Sequence, residues 1–489
     1  MHKQVTFLWH DYETFGANPR LDRPSQFGAI RTDADFNQIG EAQMFYCTPA
    51  DDFLPHPMAV LVTGITPQDA KNEGVPESEF AGAVNDLMSQ PNTCVVGYNS
   101  VRFDDEVTRH LFYRNFIDPY AREWQNGNSR WDLIDVVRAM YALRPEGINW
   151  PRKEDGTPSF KLEDLTAANG IKHGDAAHDA LADVYATIEL AKLLKKAQPR
   201  MFEHLFNMRG KQQVAKAINL DDPRPLLHIS SRFPASRGCA AIVLPLARHP
   251  SNPNGVIVYD LSENPQALLT LSAAEIMQRV FVSNVDLEAK GLSRIPLKLI
   301  HLNRCSIVLP VNAMESAIAE RHGINLVLNE SHWQQLTNLD AAFVSKMQQV
   351  FADGQGGFKD AGDPDLMLYS GAFFSTNDRK RFQQIRSTPA EALSELELNF
   401  EDPRCEEMLF RYRARNWPEY LTTAERERWD EFRWQRLHSS VSSSLTLQGL
   451  QTELIRLSTQ GLDDKQLFLL QELQFWVESM LPLQFMESF

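Results

Sequence analysis

A chain of 489 residues is too long for a single hydrophobic core, so two or three domains are expected. Hydrophobic residues make up 43% and aromatics 10%, an ordinary globular composition, and no apolar run approaches the ~20 residues of a membrane helix. The net charge of −15 disfavours indiscriminate adhesion to polyanions, yet it leaves room for a locally basic groove whose grip on phosphates weakens sharply with salt. The N-terminus lacks the basic region and apolar core of a signal peptide, which predicts a cytosolic protein without a membrane partner. Five scattered cysteines, with no Cys-x-x-Cys, argue against a zinc site and against a disulfide framework.

Residues 1–196 read as mixed α/β. Val5-Thr6-Phe7-Leu8-Trp9 predicts a strand that runs into His10-Asp11-Tyr12-Glu13-Thr14-Phe15-Gly16. The two-residue period of a strand puts the carboxylates of Asp11 and Glu13 on one side. Such a pair is either a solvated edge or half of a site for hard divalent cations, which need clustered oxygens. Residues 26–32 and 41–47 predict two further strands, antiparallel neighbours by their short connections. Residues 49–67 read as loop-rich, and 77–89 as helix.

Residues 93–99 form an apolar run that predicts a buried strand opening into a helix, with Phe103, Val107 and Leu111 on one face. Asp104, Asp105 and Glu106 fall in the first turn of that helix. They either complement the helix dipole or, for Asp104, point back over the strand end. Residues 131–143 predict a helix, 149–159 a loop, and Lys161 precedes a short helix over 162–169. In His178-Asp179-Ala180-Leu181-Ala182-Asp183, residues Leu181, Val184, Tyr185, Ile188 and Ala191 share a helical face that Asp183 flanks. His178 reaches the same site only from the loop before the helix, which leaves Asp179 as the N-cap.

Residues 197–349 read as a small β-rich domain with strands at 239–246, 256–261, 295–301 and 306–309. Residues 350–489 read as helical, most clearly at 404–415, 424–437 and 464–485. Arg411, Arg413 and Arg415 form a basic cluster, read as a solvated helix face or as a surface for DNA or an acidic tail.

Asp11, Glu13, Asp104, His178 and Asp183 stand out together. The pattern Asp-x-Glu, a distant Asp, then His-x4-Asp resembles the DEDD exonuclease superfamily in its histidine variant, on a ribonuclease-H-like fold. The tyrosine variant would need Tyr where this chain has Asp179. Longer strings, among them residues 10–16, 97–106, 128–133, 141–151 and 410–416, resemble the bacterial exodeoxyribonuclease I family over essentially the whole chain. That resemblance implies an exonuclease domain, an SH3-like β domain and a helical C-terminal domain. Lys161 departs from it where Arg is frequent in the family; a phosphate contact survives the change but bidentate geometry does not.

The resemblance implies a magnesium-dependent 3′→5′ exonuclease that degrades single-stranded DNA processively to 5′-mononucleotides in DNA repair and recombination. Two Mg²⁺ ions ~3.5–4 Å apart, with Mn²⁺ as a substitute, need several carboxylate oxygens. Asp11, Glu13 and Asp183 are the expected direct ligands, and Asp104 a ligand partly through water. His178 is the expected general base. Tyr120 and Trp124 offer stacking faces, and Arg109, Arg138 and Lys161 phosphate contacts, alongside Glu13 at the strand end; Arg114 and Arg122 lie in the same basic segment. The loop of Arg248, His249, Asn252 and Asn254 is a further candidate for touching the strand. The family's partner is the single-stranded-DNA-binding protein with its acidic tail, and a monomer is expected. Two rivals stay open. One is an RNA or proofreading exonuclease of the same superfamily, separated by comparing substrates; the other is a non-catalytic strand-binding scaffold, separated by metal-dependent nucleotide release.

Overall fold

The computed structural model describes residues 5–172, 179–337, 339–353 and 362–481. The chain divides into two compact units, one of residues 1–129, 173–188 and 358–489, the other of 130–172 and 189–357.

In the first unit β1 (Thr6–Thr14), β2 (Pro24–Thr32), β3 (Gln43–Tyr46) and β4 (Thr93–Gly97) lie in the order β3-β2-β1-β4. β1 is antiparallel to β2 and parallel to β4, and β2 is antiparallel to β3. The central place of β1 accounts for its apolar first half, since Phe7, Leu8 and Trp9 are all buried. Alternation puts Leu8 and Tyr12 on the face that packs on Phe80, Val84, Val107 and Leu111, and leaves Asp11 and Glu13 on the opposite face.

A parallel neighbour requires a crossover. It is supplied by α1 (Pro57–Thr63), α2 (Pro67–Glu73) and α3 (Glu77–Met88). The expectation of a loop-rich stretch over 49–67 therefore holds at 49–56 and 64–66 and is corrected at 57–63 and at Pro67. Pro57 and Pro67 are helix-opening residues, not loop residues, each placed after a capping side chain: His56 accepts the N–H of Met58, and Thr66 forms a capping box with Asp69. Beyond β4 the chain enters α4 (Asp104–Arg114). The helix expected at 131–143 is shorter: Ser129–Asp132 is a strand, and Asp132 caps the helix Leu133–Leu143.

The helical C-terminal part shares a core with the start of the chain. Leu437, Leu447, Leu450, Leu469, Leu473 and Val477 pack on Phe15, Phe53, Leu54 and Val60. The last helix spans Asp464–Met480; the remainder of the helix expected to 485 lies largely outside the described residues. Arg411 and Arg415 form neither a solvated face nor an open basic surface. Arg411 pairs with Asp363, Asp365 and Glu407, Arg415 with Asp52 and Asp365, and Arg413 with Glu425. Of these acids Asp52, Asp363 and Asp365 are remote in sequence, which is why the cluster looked basic.

The second unit holds an antiparallel five-stranded sheet. Its order is Ile307–Pro310, Leu226–Ile229, Ala240–Arg248, Gly255–Asp260, Leu297–His301. Four of these match expected strands; Leu226–Ile229, Leu-Leu-His-Ile, was too short and unpatterned to read. The region also carries more helix than expected, including Ala273–Phe281, Leu326–Gln334 and Ala341–Asp353. No helix among the described residues is long and apolar enough to cross a membrane.

Candidate active site

Asp11 and Glu13 sit near the end of β1, opposite Gly28 and Gln26 of β2. Asp183 comes from the first turn of the helix Ala180–Ala197. Each of the three offers a carboxylate oxygen within 4.8 Å of the others, and all are half-buried. Two residues of β2 that sequence reasoning passed over bring the helix there. The side-chain carbonyl of Gln26 accepts the backbone N–H of Ala180 at 2.9 Å. A Cβ on Gly28 would stand 2.8 Å from the backbone of Ala180 and Leu181, so only glycine allows this approach. Gly28 inside an apolar strand run was the available signal; nothing in the sequence marked Gln26. Asp179 caps the helix, accepting the N–H of Leu181 at 2.9 Å and of Ala182 at 3.3 Å.

Asp104 lies behind the three. It is buried at the start of α4, and its Oδ1 accepts the N–H of Tyr12 at 3.2 Å. Thr108 donates to the backbone carbonyl of Asp104 and bonds the Tyr12 hydroxyl, tying α4 to β1. The β4–α4 turn depends on Gly97, where a Cβ would press on Ser100 at 2.6 Å.

The electrostatics of this group are unfavourable without a cation. Burial, then Asp104, Asp183 and Glu13, push the Asp11 carboxyl well above its ordinary range. Glu13 is pushed up to about 8 by burial, then by Asp183, Asp104 and Asp179. A crowded all-oxygen set with hard charged donors fits divalent ions that prefer oxygen. His10 is the neighbouring described histidine. It is buried on the other face of β1, its Nδ1 against the Val96 carbonyl at 3.0 Å, and burial lowers it to about 4. His178 lies outside the described residues.

The structure separates the expected strand contacts into kinds. Trp124 is 65% exposed. Tyr120 is half-buried, with the Arg109 guanidinium 5.5 Å from its ring centre. Arg109 is buried and engaged by Glu123 at 2.8 Å and Glu106 at 2.7 Å; Arg114 pairs with Glu77, and Arg122 with Asp105. Lys161 and Arg138 belong to the second unit. Lys161 is exposed, and Arg138 bonds Asp135 at 2.6 Å. In the 248–254 loop, His249 Nδ1 accepts the N–H groups of Ser251 and Asn252, and Asn252 accepts that of Asn254, so these side chains shape the loop itself.

Comparison with known proteins agrees with this site. The family model described as Exonuclease matches residues 8–191, the Exonuclease I SH3-like domain matches 209–353, and the Exonuclease I C-terminal domain matches 362–480. Exodeoxyribonuclease I of Escherichia coli (strain K12) is 48% identical over 464 residues, 95% of each chain. A crystal structure of E. coli exonuclease I in complex with a dA16 oligonucleotide superposes with a TM-score of 0.93 at 47% identity, covering 98% of this chain and 100% of that one. A solved ExoI/SSB-Ct complex gives a TM-score of 0.90 at 46% identity, with coverage of 98% and 100%. The acid group on β1, the three matched domains and the identity along nearly the whole length together mean that the chain belongs to the bacterial exodeoxyribonuclease I family of enzymes.

Proposed function

We propose that this enzyme is a magnesium-dependent exonuclease that removes 5′-mononucleotides processively from the 3′ end of single-stranded DNA, serving repair and recombination in the cytoplasm. The observation that carries the reading is the convergence of Asp11, Glu13 and Asp183, with Asp104 behind them. Divalent ions bound there supply an activated water and charge neutralisation at the leaving oxygen. Asp11, Glu13 and Asp183 would hold them directly, and Asp104, outside the closest group, would act partly through a bound water. His178, in the segment before the Asp183 helix, takes the proton of the attacking water.

Trp124 and Tyr120 stack bases without sequence preference, and Lys161 and Arg138 meet phosphates. Arg109, engaged by Glu106 and Glu123, supports the strand by holding the Tyr120 ring. Related exonuclease I structures include complexes with a dA16 oligonucleotide and with SSB-Ct. By extension, the partners of this chain are single-stranded DNA and the acidic tail of the single-stranded-DNA-binding protein, and the enzyme acts as a monomer.

The test uses single strands labelled at either end, with magnesium or EDTA, alongside duplex DNA and RNA. Magnesium-dependent release of 5′-mononucleotides from the 3′ end of single-stranded DNA is expected. His178→Ala is expected to lose about 10²–10⁴ in rate while retaining strand affinity. Release in EDTA, preference for RNA, or unchanged turnover without His178 would each contradict the corresponding part.

A further inference from the structure

Three acids in succession open α4, and each takes a different partner. Asp104 Oδ1 accepts the N–H of Tyr12 at 3.2 Å. Asp105 accepts from Arg122 Nη2 at 2.6 Å. Glu106 accepts from Arg109 Nη1 at 2.7 Å and from the Tyr369 hydroxyl at 2.5 Å. Successive helix residues point ~100° apart, so one turn sends one carboxylate toward the β1 acids and the next away from them.

Asp105 is 2% exposed and Arg122 1% exposed. A buried pair of this kind is a weak source of net stability, because desolvation offsets most of the attraction. Arg122 is also poorly served as a hydrogen-bond donor. Its Nε and Nη1 have no hydrogen-bond partner among the described residues. The protein buries a whole guanidinium and uses it on one carboxylate, next to a residue of the acid group. Its charge bears as well on His10 and Tyr12, the two neighbours of Asp11.

Arg122 is itself held from outside the pair. It lies in the short turn Ala121–Glu123. Asp118 accepts the N–H groups of Tyr120 and Ala121 at 2.9 and 3.0 Å, and Glu123 binds the Arg109 guanidinium through both oxygens. The turn that presents the exposed Trp124 is thus fixed to α4 at two points, and one of them is adjacent to Asp104.

We propose that Arg122 is a positioning residue for the metal site: by neutralising and anchoring Asp105 it holds the first turn of α4 so that Asp104 faces Asp11, Glu13 and Asp183. Without it, the buried Asp105 carboxylate loses its 2.6 Å ion pair beside a cluster of acids, and the turn carrying Asp104 shifts with it. The proposal rests on the metal-dependent reading of the site.

The experiment compares the full-length wild type with Arg122→Met, Arg122→Gln, Asp105→Asn and the double variant Arg122→Met/Asp105→Asn. The readouts are Mn²⁺ affinity by calorimetry, kcat and KM on single-stranded DNA, and thermal stability. Arg122→Met is expected to weaken Mn²⁺ binding about 10–100-fold, the range for residues that orient metal ligands. It lowers kcat by a similar factor and leaves KM nearly unchanged. The double variant removes the buried Asp105 charge together with its cation and is expected to regain most of the Mn²⁺ affinity, a non-additivity that marks direct coupling. A purely structural role would lower thermal stability and leave Mn²⁺ affinity at the wild-type value, and that result overturns the proposal. If Arg122→Met does not fold, Arg122→Gln keeps a donor without the charge, and wild-type Mn²⁺ affinity in it overturns the proposal equally. A wild type that binds no Mn²⁺ overturns the metal reading as well, so the two failures are distinguishable.

Discussion

Glu13 shows how a single residue trades stability for chemistry. Its carboxyl is pushed up to about 8 by burial and by Asp183, Asp104 and Asp179. A folded-state value above the unfolded one near 4.5 means that, without metal, the ionised form costs stability as pH rises from about 4.5 to 8. Glu13→Gln removes that cost. In EDTA at pH 8 the variant is expected to melt about 2–4 °C above the wild type, the shift of ~1 kcal/mol in a protein region of this size. In magnesium it loses the added stabilisation that the wild type gains, and its nuclease rate falls by more than about a hundredfold, beyond the usual loss for an outer-shell partner. Calorimetric melts with and without metal, together with a nuclease assay, check both directions. Asp11 and Glu13 were readable as a same-face pair from the two-residue period alone. Their crowding was not, because it arises from Asp104 and Asp183, far along the chain.

At the scale of elements, the site depends on how closely the Ala180–Ala197 helix approaches β2. Gln26 holds its first N–H, and Gly28 leaves space for its backbone. Gly28→Val would drive a side chain into atoms 2.8 Å from the Cβ position, so the helix start and Asp183 must move outward. A displacement of ~1 Å is expected to lower kcat about a hundredfold. The circular dichroism spectrum should be close to that of the wild type, and weakened Mn²⁺ binding should accompany the lost rate. Wild-type kcat in Gly28→Val would show that the helix position does not govern the site. Helices and strands with long apolar patterns were legible in the sequence: β1, β4, α4 and the C-terminal helices. The short helices at Pro57 and Pro67 were not, since proline at a helix start and proline in a loop look alike until the cap beside it is seen.

For the molecule as a whole, the first unit joins the start of the chain to its end. Asp52 and Asp365 lie in one buried network with Arg23, Arg411, Arg415 and Arg436. Burial alone would push the Asp52 carboxyl up, but Arg415 and Arg436, then Arg23, hold it well below the carboxylate range. Arg415→Met leaves both Asp52 and Asp365 short of a partner, and is expected to cost about 3–5 kcal/mol in urea unfolding, the loss typical of breaking a buried pair. A loss under 1 kcal/mol would mean the network relaxes around the gap. Buried His110 and half-buried His301, together with His10 on β1, set the acid limit of stability. Burial, then Arg20 and Arg23, lower His110 to about 3; burial, then Arg304, lowers His301 to about 4. Both are depressed below the unfolded value of 6.5, so their contribution is complete above that pH. It is lost progressively as the pH falls from 6.5 toward 4, because the unfolded chain takes up protons that the folded one refuses. Melting temperature should be flat above pH 7 and decline below about 6.5; His110→Gln should shallow that decline.

The sequence by itself determined the chemistry available and the local elements that carry it. Apolar periodicity fixed β1, β4 and the helix of Asp183, and residue type at those positions put hard oxygen donors at their ends. These are local properties, set by neighbours within a few residues. Tertiary structure decided which charges are spent on the protein and which are left for a ligand. Arg411 and Arg415 face Asp363, Asp365 and Asp52, and Arg109 and Arg122 face Glu123 and Asp105, so none is the open cation its sequence context suggested. Asp11, Glu13 and Asp183 instead meet one another within 4.8 Å. Charge pairing depends on distance in space, and packing brings together residues that lie far apart along the chain, as Arg415 and Asp52 do.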